Sequence, residues 1–247
     1  MVYLGILDLR ASSIDSFAEC NKMSSAVKKR IDSAGCEASA RSRKGAYALL
    51  SRVYEDLKKE LSLPCEMPEI FYTDEGKPYF SNNLSLQKIP NFSISHDGDI
   101  AVVAISADRE VGVDAQSMPK RKINIEAIAS RFFAPIRRLD AQFARGEALC
   151  DEDTREECEI SVFFYTVSSD GIVPADAATY PLAEIPRSRA DSEFLGKWTI
   201  LEAALKMSGG GFADISGKEN IIYSAVTKTV TVAVGKAKYF ISVAHAK

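Results

Sequence analysis

The sequence is poor in the residues that build zinc centres and disulfide scaffolds. Its 247 residues include two histidines and five cysteines, and no two cysteines have the Cys-x-x-Cys spacing. A structural zinc site needs about four such ligands close together, and a disulfide framework needs paired cysteines. We therefore expect free thiols in the reducing environment of the cytoplasm.

Long apolar runs are also missing. No segment approaches the roughly 20 apolar residues that a membrane-spanning helix requires. The first seven residues are apolar, but they lack a basic leader and a small-residue cleavage site, and Asp8 follows them at once. These features predict a first β-strand rather than a signal peptide, and a cytoplasmic protein without a membrane partner.

Neither sign of charge dominates the chain. Lysine and arginine number 31, aspartate and glutamate number 34, and the formal net charge is -3. Because surfaces that bind nucleic acid are usually strongly basic, we expect no nucleic-acid partner, and any basic site must be local. With 46% hydrophobic residues, the chain can bury a substantial core in one large domain or two small ones.

Two segments carry apolar side chains at helical spacing. Residues 38–60 form the first, and the pattern is typical of an amphipathic helix. Residues 193–207 form the second, which three consecutive glycines at 209–211 bring to an end. Glu202 and Lys206 lie four residues apart in the second segment, so both side chains lie on the same face of that helix.

Other segments favour strands. Residues 91–106 alternate and then become apolar around a tight turn, which predicts a β-hairpin. Residues 110–114 predict a brief strand that ends on an aspartate, and residues 160–165 predict another strand. An antiparallel meander that closes the chain is predicted at residues 221–223, 229–234 and 239–243.

A helix followed by strands occurs twice along the chain, which predicts an α/β (α+β) fold with two similar halves. We place the N-terminal half at residues 1–108 and the C-terminal half at residues 109–247. Residues 136–192 have no clear pattern and are interpreted as a long insertion in the second half. Two hypotheses stay open for this insertion: a surface elaboration, or a lid or partner-specific contact.

Asp114, Glu202 and Lys206 are the candidate chemical groups. Taken alone, an aspartate at a strand end is often a solvated turn residue, and a Glu–Lys pair four residues apart is often a surface ion pair. Together they supply two carboxylates, which Mg²⁺ commonly takes from a protein while it keeps waters and phosphate oxygens. The lysine adds a cation for a leaving phosphate, so the set predicts phosphoryl-type transfer.

Four short motifs follow one another in an order that resembles the 4'-phosphopantetheinyl transferases of the larger, Sfp-like class. Each motif is common by itself, but the four together span about residues 76 to 212 in the family order and are more specific. They are Gly76-Lys77-Pro78, Phe92-Ser93-Ile94-Ser95-His96, Val111-Gly112-Val113-Asp114 and Trp198-Thr199-Ile200-Leu201-Glu202-Ala203-Ala204-Leu205-Lys206.

The resemblance implies two α/β halves in a pseudo-twofold arrangement, with coenzyme A as substrate and Mg²⁺ as cofactor in the cleft between them. The implied enzyme is of the holo-[acyl-carrier-protein] synthase type. It moves the phosphopantetheine arm of coenzyme A to a serine of an acyl or peptidyl carrier protein and releases 3',5'-ADP. Asp114 and Glu202 match the metal carboxylates, Glu202 also matches the base that deprotonates the serine, and Lys206 matches the lysine that engages the phosphates.

The resemblance also implies residues that bind the nucleotide of coenzyme A. Some match family positions at its 3'-phosphate, and others match a loop beside the adenine. The 3'-phosphate positions are Arg41, Ser95 and His96, and Lys28 is a looser match for another phosphate contact. The loop positions are Lys77 and Pro78.

Two positions depart from the family pattern. Gln116 stands where the family usually has a glutamate, so this third metal position is neutral and should bind the cation more weakly. Leu201 stands where the family usually has a lysine. These departures motivate an alternative, a catalytically impaired family member that binds coenzyme A or a carrier protein without transfer. A further alternative is an α+β ligand-binding protein with accidental motif matches.

A short basic run follows the metal aspartate. Lys120, Arg121 and Lys122 are well placed in sequence to meet the acidic surface that is typical of carrier proteins and to steer the encounter. The alternative is a solvated basic loop. Because two halves would enclose one internal cleft, a monomer is sufficient for the implied activity.

Overall fold

The computed structural model describes residues 1–12, 23–81, 89–119, 124–125, 127–128, 159–169, 171–181, 190–210, 215 and 217–247. These residues form strands and α-helices. In chain order they are β1 (Val2–Asp8), α1 (Ser25–Asp32), α2 (Glu37–Leu57), β2 (Ile70–Tyr72), β3 (Pro78–Phe80), β4 (Asn91–Asp97), β5 (Ile100–Ser106), β6 (Val111–Ser117), β7 (Ile160–Ser168), β8 (Gly171–Pro174), α3 (Ala190–Met207), α4 (Glu219–Ser224), β9 (Val226–Val234) and β10 (Ala237–His245). No helix in the described part of the chain is long and apolar enough to cross a membrane.

β1 is the middle strand of a five-stranded sheet with the order β4-β5-β1-β7-β8. It pairs antiparallel with β5 and parallel with β7. Tyr3 and Leu7 pack in a core with α2, whereas Leu4 and Ile6 pack in a second core with the strands of another sheet. Because both faces are covered, every residue of β1 and β5 is buried, which explains the continuous apolar runs in their sequences.

The second sheet has three antiparallel strands in the order β6-β10-β9. Helix α3 packs against it through a third core cluster that includes Leu201, Leu205, Phe240 and Ala244. The described fold is therefore a mixed α/β arrangement in which β6 lies between α3 and the five-stranded sheet. The pseudo-twofold relation of two halves stays a prediction.

Most of the predicted elements are confirmed. The two amphipathic helices are α2 and α3, the hairpin is β4 and β5, and the strand of the third motif is β6. The expected end of that strand at Asp114 is wrong, because β6 continues to Ser117 and Asp114 lies in its middle. Cys36 and Cys65 are free and exposed, as expected, and the other three cysteines lie outside the described residues.

The predicted strand at residues 221–223 is wrong, because these residues form helix α4. Ile222 is buried in the cluster around α3, while Ile221 is 41% exposed. A run of three apolar residues does not by itself distinguish a strand from a turn of helix. Here the packing of Ile222 against α3 stabilises the helix.

The segment 136–192, expected as an insertion, contains β7 and β8. Residues 160–166 of β7 pair with the whole of β1, and Phe164, Tyr165 and Ile172 are buried in the two cores. These two strands complete the main sheet, and the interpretation of the segment as an insertion stays a prediction. That sheet also takes strands from both sides of the 108/109 boundary, which itself stays a prediction. The acidic part of the segment lies outside the described residues.

Candidate active site

A glycine brings β6 and α3 into direct contact. A Cβ atom placed on Gly112 would lie 1.9 Å from the carbonyl oxygen of Ala203 and 2.5 Å from the backbone nitrogen of Met207. Both are backbone atoms of α3, so no side-chain rotation relieves the overlap. Gly112 therefore permits the close approach that brings Asp114 beside Glu202.

Asp114 is 3% exposed, and its two carboxylate oxygens have different surroundings. Its Oδ1 accepts hydrogen bonds from the ammonium of Lys206 at 2.7 Å and from the hydroxyl of Ser95 at 3.0 Å. Its Oδ2 is buried and, when Glu202 is charged, accepts no hydrogen bond from a donor among the described residues. A buried carboxylate oxygen without a partner is costly, so Asp114 has an unused ligand atom at this site.

Glu202 lies in the same group and has a strongly shifted pKa. Burial raises the pKa of its carboxyl to about 7, and the charge of Asp114 and a hydrogen bond between the two carboxyls act in the same direction. The charge of Lys206 and a hydrogen bond with Trp198 oppose this shift without cancelling it. Two neighbouring buried carboxyls with only one lysine beside them repel each other when both are charged. One of them therefore tends to keep a proton, or the pair binds a further cation.

Polar side chains of β4 join the two sheets at this point. Ser93, Ser95 and Asp97 alternate along β4 and contact β6 through their side chains, although β4 and β6 belong to different sheets. The contacts are Val113 N to Ser93 Oγ at 3.1 Å, Ser95 Oγ to Asp114 Oδ1 at 3.0 Å and Ser117 N to Asp97 Oδ2 at 2.6 Å. This junction fixes the position of Asp114 relative to the motif that contains His96.

A cavity of about 430 Å³ opens over these groups. That volume falls in the usual range of small-molecule sites. Its lining combines cations, carboxylates and backbone from glycines. The lining residues are Arg30, Arg43, Tyr47, Glu75, Gly76, Lys77, Pro78, Ser93, Ile94, Ser95, His96, Asp97, Asp114, Ala115, Gln116, Glu202, Lys206, Gly209 and Gly210.

His96 lies within the electrostatic influence of two cations of this cavity. Burial lowers the pKa of its imidazole, and the charges of Lys206 and Arg43 lower it further. Asp97 and Asp114 act in the opposite direction with smaller effect. The ring is therefore neutral at pH 7, and it can donate one hydrogen bond and accept another.

Most of the predicted site residues meet at the cavity, and two do not. Asp114, Gln116, Glu202 and Lys206 line it together with Ser95, His96, Lys77 and Pro78. Arg41 and Lys28 are absent from its described lining. Lys28 is exposed on α1, and Arg41 donates to Leu9 O, Ser12 O and Asp99. Their roles, like those of the other site residues, stay predictions, and Lys120, Arg121 and Lys122 lie outside the described residues.

Lys77 reaches the cavity, but its ammonium already has partners. It donates to the carboxylate of Glu110 and to the carbonyl oxygen of Met207 at 2.7 Å. Gln116 also has a partner, since its amide nitrogen donates to Asp97 at 3.3 Å. The bond to Met207 ties the loop before β3 to the end of α3.

The sequence interpretation did not single out three lining residues, Arg30, Arg43 and Tyr47. Arg43 and Tyr47 lie four residues apart on α2, so helical spacing could have placed them on one face. Nothing in the spacing indicated which face of α2 borders the cavity. That depends on how α1 and β4 pack around the helix.

The site residues fit a hard cation that takes few protein ligands. Among the described residues there is no group of three or more His, Cys, Asp or Glu side chains that could hold a metal. Mg²⁺ does not need such a group, because it commonly uses one or two carboxylates with waters and substrate phosphates. The unpartnered Oδ2 of Asp114 and the neighbouring Glu202 meet this smaller requirement.

Fold and site together define a mixed α/β protein with a buried pair of carboxyls and several cations around one cavity. No family model matches the chain. A stretch of 68 residues is 38% identical to a protein of Xenopus laevis named L-aminoadipate-semialdehyde dehydrogenase-phosphopantetheinyl transferase. This match covers 27% of the chain and 21% of the length of that protein, and it supports a relation to the phosphopantetheinyl transferase superfamily.

Proposed function

We propose that the protein transfers the 4'-phosphopantetheine arm of coenzyme A to a serine of an acyl or peptidyl carrier protein in a Mg²⁺-dependent reaction. The observation that carries this proposal is the meeting of Asp114, Glu202 and Lys206 at one cavity. The partial similarity to a protein named as a phosphopantetheinyl transferase supports it from a separate direction.

The reaction forms one bond and breaks one. The serine oxygen bonds to the β-phosphorus of coenzyme A, the bond from that phosphorus to the bridging oxygen breaks, and 3',5'-ADP leaves with that oxygen. Glu202 accepts the serine proton as the general base of the reaction. Lys206 stabilises the negative charge that develops on the leaving phosphate.

Asp114 and Glu202 would hold the Mg²⁺ ion, with the amide of Gln116 as a neutral third position. When bound, Mg²⁺ supplies positive charge that offsets the charge of the pyrophosphate oxygens. Ser95 supports this arrangement from β4, because its hydroxyl donates to Asp114 and accepts from Lys206 at 3.0 Å. It orients both charged groups without changing the net charge.

Intact-mass analysis of an apo carrier protein tests the proposal. Incubation with this protein, coenzyme A and Mg²⁺ should add the mass of one phosphopantetheine arm to the carrier. EDTA should prevent the gain, and Asp114→Ala should abolish it while the variant keeps the circular dichroism of the wild type.

A second outcome would favour the alternative hypothesis of a catalytically impaired protein. In that case coenzyme A with Mg²⁺ would still raise the melting temperature by ligand linkage, but several carrier proteins would gain no mass. The neutral Gln116 is the feature that favours this alternative. Leu201 carries less weight, because it is fully buried in the cluster around α3 and is not part of the described lining. No stabilisation by coenzyme A would contradict both hypotheses and favour a different ligand.

A further inference from the structure

Lys77 lines the cavity, but both partners of its ammonium lie outside the described lining. The ammonium donates to the carboxylate of Glu110 and to the carbonyl oxygen of Met207 at 2.7 Å. Glu110 and Met207 border a neighbouring groove instead, together with Lys77 itself. The Lys77 side chain is 17% exposed, so these two bonds form largely without competition from water. The positive charge of Lys77 is therefore directed away from the cavity.

The bond to Met207 completes the C-terminal end of α3. The carbonyl oxygens of residues 204–206 accept hydrogen bonds from the backbone amides of residues 208–210. The last carbonyl oxygens of a helix have no partner further along it, and the negative end of the helix dipole favours a cation there. Lys77 supplies that cation to the next carbonyl oxygen, that of Met207. A side chain from the β2–β3 turn thus caps the helix that carries two of the three candidate chemical groups.

Glu110 and Met207 lie on either side of the contact between β6 and α3. The backbone nitrogen of Met207 is 2.5 Å from the position of a Cβ atom on Gly112, which follows Glu110 by two residues. One ammonium therefore binds both elements within two residues of their contact. Asp114 follows Gly112 by two residues, and Lys206 directly precedes Met207. A change in this bridge would act on the spacing of the charged groups at the site.

A tight turn fixes the backbone of Lys77. Its amide donates to Thr73 Oγ1 at 3.1 Å, and its carbonyl oxygen accepts from the amide of Thr73 at 2.9 Å. The amide of Gly76 donates to Thr73 O at 2.9 Å, and Gly76 has a φ of +87°, a conformation that favours glycine. Because the turn holds the backbone of Lys77, its ammonium provides a fixed point for the end of α3.

We propose that Lys77 is a positioning residue, whose ammonium holds the end of α3 against the start of β6 and so keeps Glu202 and Lys206 in place relative to Asp114 for transfer. The sequence resemblance matched Lys77 to a loop beside the adenine, and the present assignment concerns its ammonium, not the backbone of that loop. The inference rests on the proposed function in taking phosphopantetheine transfer as the reaction.

The kinetics and the coenzyme A binding of Lys77→Met test this role. Methionine keeps an unbranched apolar side chain but removes the charge and the donors. Because a displacement of about 1 Å can lower a rate by about a hundredfold, we expect kcat to fall by roughly ten- to a hundredfold. The KM for coenzyme A should change by less than about threefold, since a lost contribution to the transition state lowers kcat and kcat/KM alike. Isothermal titration calorimetry with coenzyme A and Mg²⁺ should likewise give a nearly unchanged dissociation constant.

Glu110→Gln separates positioning from ligand binding by the sign of its effect. If the ammonium bound a phosphate, loss of its carboxylate partner would free it and tighten the binding of coenzyme A. If it holds β6 to α3, the same substitution should lower kcat by about two- to fivefold, as for a partly exposed ion pair, and leave binding unchanged. In the double variant with Lys77→Met, Glu110→Gln should have no further effect, because its partner is already gone.

Amide hydrogen exchange gives a measurement that does not require transfer. In Lys77→Met the amides of residues 208–210 should exchange at least about tenfold faster, because a bond from a charged donor no longer holds the end of α3. Lys77→Arg should restore most of this protection and part of kcat, since a guanidinium also donates to carboxylate and carbonyl oxygens. Lys58→Met is the matched control, because Lys58 pairs with Glu55 on the surface of α2, and it should keep both the wild-type kcat and the wild-type exchange.

The inference is overturned if Lys77→Met keeps the wild-type kcat at a temperature where it is folded, if its main effect is weaker binding of coenzyme A, or if Glu110→Gln tightens that binding. Its failure differs from failure of the proposed function. A wild-type protein that transfers the arm while Lys77→Met keeps kcat and amide protection retains the function and loses this inference. A wild-type protein that transfers nothing loses the function, and exchange at residues 208–210 still decides whether Lys77 holds the end of α3.

Discussion

Two buried aspartates of this protein have opposite surroundings. Asp8, at the end of β1, accepts hydrogen bonds from the guanidinium of Arg10 on both oxygens and from the hydroxyl of Tyr180. Asp114, in β6, shares Lys206 with a second carboxyl and keeps one oxygen without a partner among the described residues. The charge of Asp8 is balanced by Arg10, whereas the two carboxyls of Asp114 and Glu202 are close to one cation, Lys206.

The pKa shifts express the same difference. Burial of Asp8 acts to raise the pKa of its carboxyl, but the bonds from Arg10 and Tyr180 outweigh it and hold the pKa below its ordinary value. At the other site, burial raises the pKa of Glu202 to about 7. A buried carboxyl with enough donors favours its charged form, whereas a buried pair with too few donors favours the proton. A bound cation would therefore stabilise the charged forms of Asp114 and Glu202, whereas Asp8 needs none.

The largest expected effect is that of Asp114→Asn on transfer. The substitution keeps the shape of the side chain but removes the charge that would hold the metal and pair with Lys206. Several kcal/mol of charge stabilisation in the transition state correspond to a rate loss of about a thousandfold. The initial rate of carrier modification measures this loss, and Asp8→Asn serves as the matched control because it should keep most of the activity. Equal losses in both variants would contradict the comparison.

A smaller effect, on stability, is expected for Asp8→Asn. Loss of charge-assisted bonds to a 6% exposed side chain should lower the free energy of unfolding at pH 7 by about 2 kcal/mol. Because the folded-state pKa is lowered, the charged form contributes stability above the ordinary pKa of 3.8, and this contribution is lost as the pH falls through the folded-state value. Urea denaturation at several pH values should show the two proteins converging in acid. A constant difference down to the lowest pH would argue against an electrostatic origin.

The smallest effect, with the opposite sign, is expected for Glu202→Gln in metal-free protein. The folded state holds the Glu202 proton up to pH 7, whereas the unfolded state releases it near pH 4.5, so this group destabilises the fold progressively across that interval. The variant should therefore melt about 3 °C above the wild type at pH 8 in EDTA, and close to it below pH 4.5. Mg²⁺ should stabilise the wild type more than the variant. A variant that melts lower at pH 8 would show that Glu202 is satisfied without a metal.

The periodicity of the chain was sufficient for the elements that carry the site. The helices α2 and α3, the hairpin of β4 and β5, and the strand β6 follow from patterns of apolar residues whose faces must be buried. The periodicity failed at residues 221–223, because a short apolar run is compatible with either a strand or a helix. Contacts with α3 stabilise the helix there. The periodicity predicted β7 as a strand but not its place in the sheet, because nothing local indicates that this strand will pair with β1.

The residue types and spacing of the motifs alone pointed to two carboxylates, a lysine and phosphate chemistry. Only the tertiary structure decided which cations border the cavity, because a side chain's direction depends on how its helix is rotated against its neighbours. Arg41 and Arg43 show this most clearly, since two residues of sequence separate an arginine bonded to Leu9 O and Asp99 from one that lines the cavity. The missing partner of Asp114 likewise arises from packing, since Gly112 brings β6 against α3 and buries one oxygen away from every donor among the described residues.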